Sequence, residues 1–329
     1  MKINLFIFIS LIVGVSTLFI IFSQRGVLDV RTDTSVYLDQ IAYFNGYSHQ
    51  MSSNTQLRSF KPFYGFVGAF LTNFVNDEEA IALINIIFYF GLIITSFFFL
   101  RELGFKDLYA TIGSSWITTG YPVMKYGLAL LTDISGWFFA IATITLFLVG
   151  FRKQSTKIII LASMVGFIGS LCKETGVLGL LFSGIFLIFK FITERNKNYI
   201  KNLFYIFTPF ILLQVIFLFI VFQKNGNGSS FIDWFLFNKN TIGYDLHTWY
   251  YFLLTEASAF NLLWVFSLYT IYSVLSKKII LHKEKVLLAV SLFIATLPPL
   301  IWPIFLTRVL YIEYLFVIPF ALFGFFVLS

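Results

Sequence analysis

Charge is scarce in this 329-residue sequence: only 12% of its residues are Asp, Glu, Lys or Arg. A soluble domain carries about 25%. With 58% hydrophobic residues and a mean hydropathy of +0.86, too few polar side chains remain to cover a solvated surface. A water-soluble globular fold is therefore excluded. The single cysteine, Cys172, excludes an intrachain disulfide and a cysteine metal cluster. Three histidines, His49, His247 and His282, lie far apart without ligand spacing. No internal repeat is visible. The net charge of +7 does not point to nucleic acid, because the basic residues sit between apolar runs, where they set topology.

What the sequence has is apolar length. Runs at 4–22, 80–100, 108–122, 128–150, 158–172, 176–192, 203–222, 258–276, 286–301 and 308–328 predict an all-α polytopic membrane protein with about ten transmembrane helices. The expected organisation is one integral membrane domain over 1–329, with no soluble domain. The N-terminal "MKINLFIFISLIVGVSTLFIIFS" exceeds a signal-peptide core and lacks a small-residue cleavage site, so it reads as an uncleaved first span. Alternation from a cytoplasmic N-terminus puts 14 of the 23 basic residues in short cytoplasmic loops and 12 of the 16 acids outside. Both termini are then cytoplasmic, and the expected site is a plasma membrane. Two outer loops are long, 23–79 and 223–257. The first predicts helices lying at the membrane surface, then an apolar piece at 63–75 that need not cross. The second is rich in aromatic anchors and contains the sequon Asn227-Gly228-Ser229.

Carboxylates and cations inside apolar surroundings cost about 2.5–3.5 kcal/mol each on insertion scales, so they are candidates for function. In "VRTDTSVYLDQ", Asp33 and Tyr37 share a face if helical, although an interfacial loop would also carry them. Asp39 reads as surface. In "LRSFKPFYG", Arg58 and Lys61 suit either a phosphate clamp or lipid headgroups. In "KYGLALLTDISGW", an outer turn at 122–127 places Asp133 about one and a half turns into a span, as a functional acid or a structural hydrogen bond. In "GSLCKETGVLG", residues 158–192 are too long for one crossing, which predicts a hairpin turning at 173–176. Lys173 and Glu174 there are either site residues or a mutual ion pair. Near the end, "FLTRVLYIEYLF" puts Arg308 and Tyr311 on one helix face. Three carboxylates (Asp33, Asp133, Glu174) and three cations (Lys61, Lys173, Arg308) thus fall at shallow depth on one side. That pattern suits a substrate with an apolar tail and an anionic head.

These motifs, in this order, resemble the integral-membrane glycosyltransferases of the GT-C superfamily, such as protein O-mannosyltransferases and aminoarabinose transferases. The resemblance rests on Asp33-Thr34-Ser35-Val36-Tyr37, Lys61-Pro62-Phe63-Tyr64, Leu131-Thr132-Asp133 and Cys172 to Gly176, and covers roughly residues 1–200. It implies a polyprenyl-phosphate sugar donor, an acceptor hydroxyl on a glycan, lipid or protein, and reaction on the outer face. Membrane lipids are expected partners and nucleic acid is not. Asp33 would be the catalytic base, with a pKa raised by its recess. Tyr37, Lys61, Asp133, Lys173, Glu174 and Arg308 would bind substrate, with Lys61 on the phosphate. No metal site is indicated and the cofactor requirement is open. Many relatives carry a second acid where this chain has Thr34. A transporter or flippase for a lipid-linked or anionic solute, and a non-catalytic membrane subunit, are the rival readings.

Overall fold

The computed structural model describes residues 5–225, 231–242, 249–278, 282–302 and 307–328, and every regular element among them is helical. The sequon and His247 lie outside these residues. The chain forms α1 (Leu5–Arg25), α2 (Thr34–Phe44), α3 (Ser53–Gln56), α4 (Phe63–Leu71), α5 (Asp77–Glu102), α6 (Asp107–Thr119), α7 (Asp133–Arg152) and α8 (Thr156–Cys172). It continues as α9 (Leu178–Glu194), α10 (Asn198–Asn225), α11 (Phe231–Ile242), α12 (Trp249–Phe260), α13 (Leu263–Leu275), α14 (Lys283–Ala295), α15 (Thr307–Leu310) and α16 (Tyr314–Leu328).

Ten apolar runs do not become ten bilayer-length helices. Among the described residues, six helical stretches are long and apolar enough to cross, or seven if α12 and α13, bent by 99° at their junction, count as one span. The others are shorter. α8 rises only about 25 Å over its 17 residues, against a hydrocarbon core of about 30 Å. The final apolar run is broken into α15, a 3₁₀ turn at Tyr311–Glu313 and α16. The expected shared face of Arg308 and Tyr311 is therefore lost: Tyr311 is buried and donates to the Ile117 carbonyl, 2.6 Å away.

α7 is the central helix. It packs against α5, α8 and α9, and three quarters of its apolar window is buried. α10 is its opposite, with Ile211, Leu212, Val215, Ile216 and Phe219 exposed as a lipid-facing helix exposes them. Polar contacts gather at the two ends of the bundle. At one end the Arg101–Asp107, Arg152–Glu102 and Lys190–Glu194 pairs join the short basic loops. The other end is roofed by α2, α3 and α4, the short helices expected in the first long loop. At nine residues, about 14 Å, α4 is too short to cross.

Candidate active site

The site end is built around an irregular segment, 128–132, enclosed in the protein. Its carbonyls need partners because no water or lipid group can serve them. Asn85 of α5 supplies two hydrogen bonds from its Nδ2, to the carbonyls of Ala129 (2.6 Å) and Leu131 (3.0 Å), while its Oδ1 accepts from Tyr64. Thr34 donates to the Leu130 carbonyl at 2.9 Å and accepts from the Arg31 amide. A second acid at position 34 could not donate to that carbonyl. Tyr37 shares a 3.0 Å hydrogen bond with Thr132.

This segment delivers Asp133 to the first residue of α7, with a π-helical turn at Val123–Gly127 before it. Asp133 therefore starts a helix, whereas its apolar flanks had predicted a place about one and a half turns inside one. The helix N-terminus favours its negative charge. Lys125 stays near Tyr121 and Tyr126. Asp33 is likewise the residue before α2, so the acid and Tyr37 do flank one turn, but they diverge: Tyr37 turns inward to Thr132 and Asp33 faces a cavity. Asp39 accepts from the Ser52 amide and anchors the start of α3.

The long run 158–192 breaks at Lys173, whose backbone is extended (φ −155°, ψ 144°), and re-forms through a 3₁₀ turn at Glu174–Val177. Two glycines make the turn possible. A Cβ on Gly176 would meet the Gly169 backbone at 2.5 Å. A Cβ on Gly136 would lie 2.2 Å from Thr175 Oγ1 and 2.8 Å from Lys173 Cβ, so only glycine lets the turn pack on α7.

A cavity of about 630 Å³ opens here. Asp33, Lys61, Asp133, Lys173, Glu174 and Arg308 all line it, joined by Arg58 and Trp234. Tyr37 does not. The charges alternate in a chain of pairs. Asp33 accepts from Arg58 at 3.0 Å on Oδ1 and from Arg308 at 3.2 Å on Oδ2. Arg308 also reaches Asp133 Oδ2 at 3.5 Å, and Lys173 lies 3.4 Å from Asp133 Oδ1. Lys61 binds Glu174 at 2.8 Å. Lys173 and Glu174, adjacent in sequence, therefore take different partners and are not the mutual pair that adjacency suggested. The rest of the wall is mostly apolar, with Leu178, Leu181, Phe210 and Trp302, and also carries Ser170, Thr175, Gln214 and Asn238.

The electrostatics correct one expectation. Burial raises the Asp33 carboxyl, but Arg58, Lys173 and Arg308 outweigh it and bring its pKa down to about 2. Asp33 is held ionised; its pKa is not raised. Lys61 moves the other way. Burial lowers its pKa to about 8, with Lys173 and Arg58 assisting and Glu174 opposing. Burial also works against the charge on Lys173, yet Asp133 and Glu174 leave its pKa raised.

One site residue, Trp234, escaped the sequence reading, and another, Arg58, was weighed there only as half of a phosphate clamp or a headgroup contact. Arg58 is buried, and its guanidinium carbon sits 4.1 Å from the centre of the Trp234 ring. Its Nε–H has no hydrogen-bond partner among the described residues, which costs about 1–3 kcal/mol. Trp234, from α11, closes one side of the cavity with Asn238, whose side-chain amide donates to the Trp234 carbonyl at 2.8 Å. Arg58 was visible beside Lys61 as a basic residue. Nothing in the aromatic second loop singles out Trp234 from its neighbours.

A bound divalent ion would have to displace these pairs. Among the described residues no three acidic, His or Cys side chains come together, and each of the three cavity carboxylates already faces a lysine or arginine. The residues as arranged do not fit a divalent-cation centre.

No protein-family model matches the sequence, and no curated protein matches it. Solved structures do. The oligosaccharyltransferase of Archaeoglobus fulgidus, crystallised with zinc and sulfate, superposes with a TM-score of 0.64 over 96% of this chain at 15% identity. Its apo form gives 0.63 over 97% at 11% identity. This chain spans about half the length of that protein, 49% and 50% in the two comparisons. At such identities the likeness is one of fold: this helical chain, with several helices long and apolar enough to cross a membrane, shares the fold of the matched half of that oligosaccharyltransferase.

Proposed function

We propose that this protein is a glycosyltransferase that moves a sugar from a polyprenyl-phosphate donor to an acceptor hydroxyl at the outer face of a plasma membrane, with both termini cytoplasmic. The observation that carries this reading is the cavity, which brings carboxylates and cations together with a largely apolar lining at one end of the helical bundle. A lipid-linked anion matches both halves. Four cations (Arg58, Lys61, Lys173, Arg308) face three carboxylates (Asp33, Asp133, Glu174), leaving one positive charge in excess. A sugar phosphodiester carries one negative charge. The GT-C fold shared with an oligosaccharyltransferase supports the same class of reaction.

The roles follow from the positions. Asp33 takes the proton of the acceptor hydroxyl. The acceptor oxygen forms its bond to the sugar's anomeric carbon as the carbon–oxygen bond to phosphate breaks. Lys61, Arg58 and Arg308 stabilise the departing phosphate. Asp133, Lys173 and Glu174 hold the sugar or acceptor hydroxyls and keep the cations in place. Tyr37 acts at one remove, fixing α2 against Thr132 so that Asp33 is aimed correctly. The cluster lies at one end of the bundle and not at its middle, which favours transfer over transport.

The test is reconstitution in vesicles with radiolabelled polyprenyl-phosphate sugars and a membrane extract as acceptor source. Labelled product supports the reading. Absence of product from every donor, together with counterflow of an anionic solute, would overturn it.

A further inference from the structure

Both oxygens of Asp33 are occupied. Oδ1 accepts from Arg58 and Oδ2 from Arg308. Each oxygen keeps a second lone pair, but a carboxylate held by two guanidinium groups accepts a proton poorly, because both cations stabilise its ionised form. The two grips differ. Arg308 is shared with Asp133, so it is tied from two sides. Among the described residues Arg58 has only Asp33 as its carboxylate partner and its Nε–H is unpaired, while its flat face rests on Trp234. An arginine fork with donors to spare, beside a lysine and on the wall of the same cavity, is a better partner for a phosphate than for one carboxylate oxygen.

We propose that Arg58 is a donor-released latch on Asp33: the phosphate of the lipid donor draws the Arg58 guanidinium away, and only then does Oδ1 readily receive the acceptor's proton. This rests on the transferase reading above and adds an order to it. Donor binds first, and the base becomes competent second. Premature proton uptake and futile hydrolysis of the donor are both disfavoured, because the base is engaged until the leaving group is in place. The atoms balance: the hydroxyl proton passes to Asp33 Oδ1, the acceptor oxygen bonds to the anomeric carbon, and the electron pair of the broken bond leaves on the phosphate held by Arg58 and Lys61. Arg58 is a positioning residue for the base and a contact for the donor.

The groups facing Asp33 define what should happen to its titration. They are Arg58 from the α3–α4 connection, Lys173 from the turn after α8, Arg308 from α15 and Tyr37 one turn along α2. Asp133 is linked to it through the shared Arg308. Losing Arg58 removes the largest of the opposing charges, so the Asp33 carboxyl must titrate at higher pH.

The experiment is infrared difference spectroscopy of the full chain in lipid nanodiscs. The spectrum of D33N is subtracted to isolate the Asp33 carboxyl band, and pH titrations are run with and without saturating farnesyl phosphate. Uncharged farnesol is the control, and calorimetry reports binding separately. Farnesyl phosphate should move the Asp33 midpoint up by at least about one pH unit, a tenfold change in proton affinity. Farnesol should not move it. R58Q should show the raised midpoint without ligand, and R58K, which keeps the charge and guards against misfolding, a smaller rise. Calorimetric binding of farnesyl phosphate with an unmoved Asp33 midpoint overturns the latch and leaves the transferase reading standing. An R58Q titration identical to wild type also overturns it. No binding of farnesyl phosphate at all overturns the transferase reading and the latch with it.

Discussion

Lys61 offers a pH test whose sign is set by its surroundings. Its side chain is almost wholly enclosed, its amine donates to Glu174, and the Phe60 and Trp234 rings lie 5.1 Å and 5.5 Å away. Burial brings its pKa from 10.5 to about 8. At pH 7 about nine-tenths of the free protein then carries the Lys61 charge, and at pH 9 about one-tenth does. If the charged amine holds the donor's phosphate, kcat/KM for donor, which reports the free enzyme, falls along a basic limb centred near pH 8. Between pH 7 and 9 the expected loss is about ninefold to tenfold. The same depression affects stability. The unfolded chain binds more protons than the folded one between about 8 and 10.5, so this group's contribution to stability rises as pH climbs through that window. The assay is initial-rate kinetics with labelled donor from pH 6 to 10 on wild type and K61R. Arginine does not deprotonate in this range, so K61R should lose the limb. A limb that persists unchanged in K61R would refute the assignment of Lys61 to the phosphate.

Three further substitutions probe the scaffold. E174Q leaves the Lys61 amine enclosed without its carboxylate; because Glu174 is partly exposed, the expected cost is about 2–3 kcal/mol, below the about 3–5 of a fully buried pair, read from unfolding in detergent. N85L strips the carbonyls of Ala129 and Leu131 and the Tyr64 hydroxyl of their partner, and should destabilise by about 1–3 kcal/mol for each group left unpaired while lowering transfer through a displaced Asp133. G136A puts a methyl group into Thr175 and Lys173, so the 173–176 turn must lift off α7; the expected loss is about 1–3 kcal/mol, with a raised KM for donor.

The class of fold was legible because apolar length speaks directly to helices in a bilayer, and short helices in the first loop followed from its mixed polarity. The number of spans was less legible. Length alone cannot reveal that the apolar stretch after 257 is bent by 99° or that the last run breaks at Tyr311. Six of the seven candidate site residues line one cavity because each was a charge in apolar surroundings, a signal that local sequence carries. Tyr37 shared that neighbourhood in sequence but turns inward to Thr132. Partnerships were not readable: Asp33 and Arg308 are 275 positions apart, and only packing decides that Lys173 meets Asp133 while Glu174 meets Lys61. The lowered pKa of Asp33 follows from those unseen partners. A recess alone would have raised it, and three converging cations reverse the sign.

The central claim is that Asp33 is the base of a sugar transfer. The direct measurement compares wild type and D33N in the same vesicles with labelled polyprenyl-phosphate sugar, scoring product formation and donor binding separately. The account predicts a fall in transfer of about 10²–10⁴-fold with donor still bound. Transfer by D33N at the wild-type rate would contradict it.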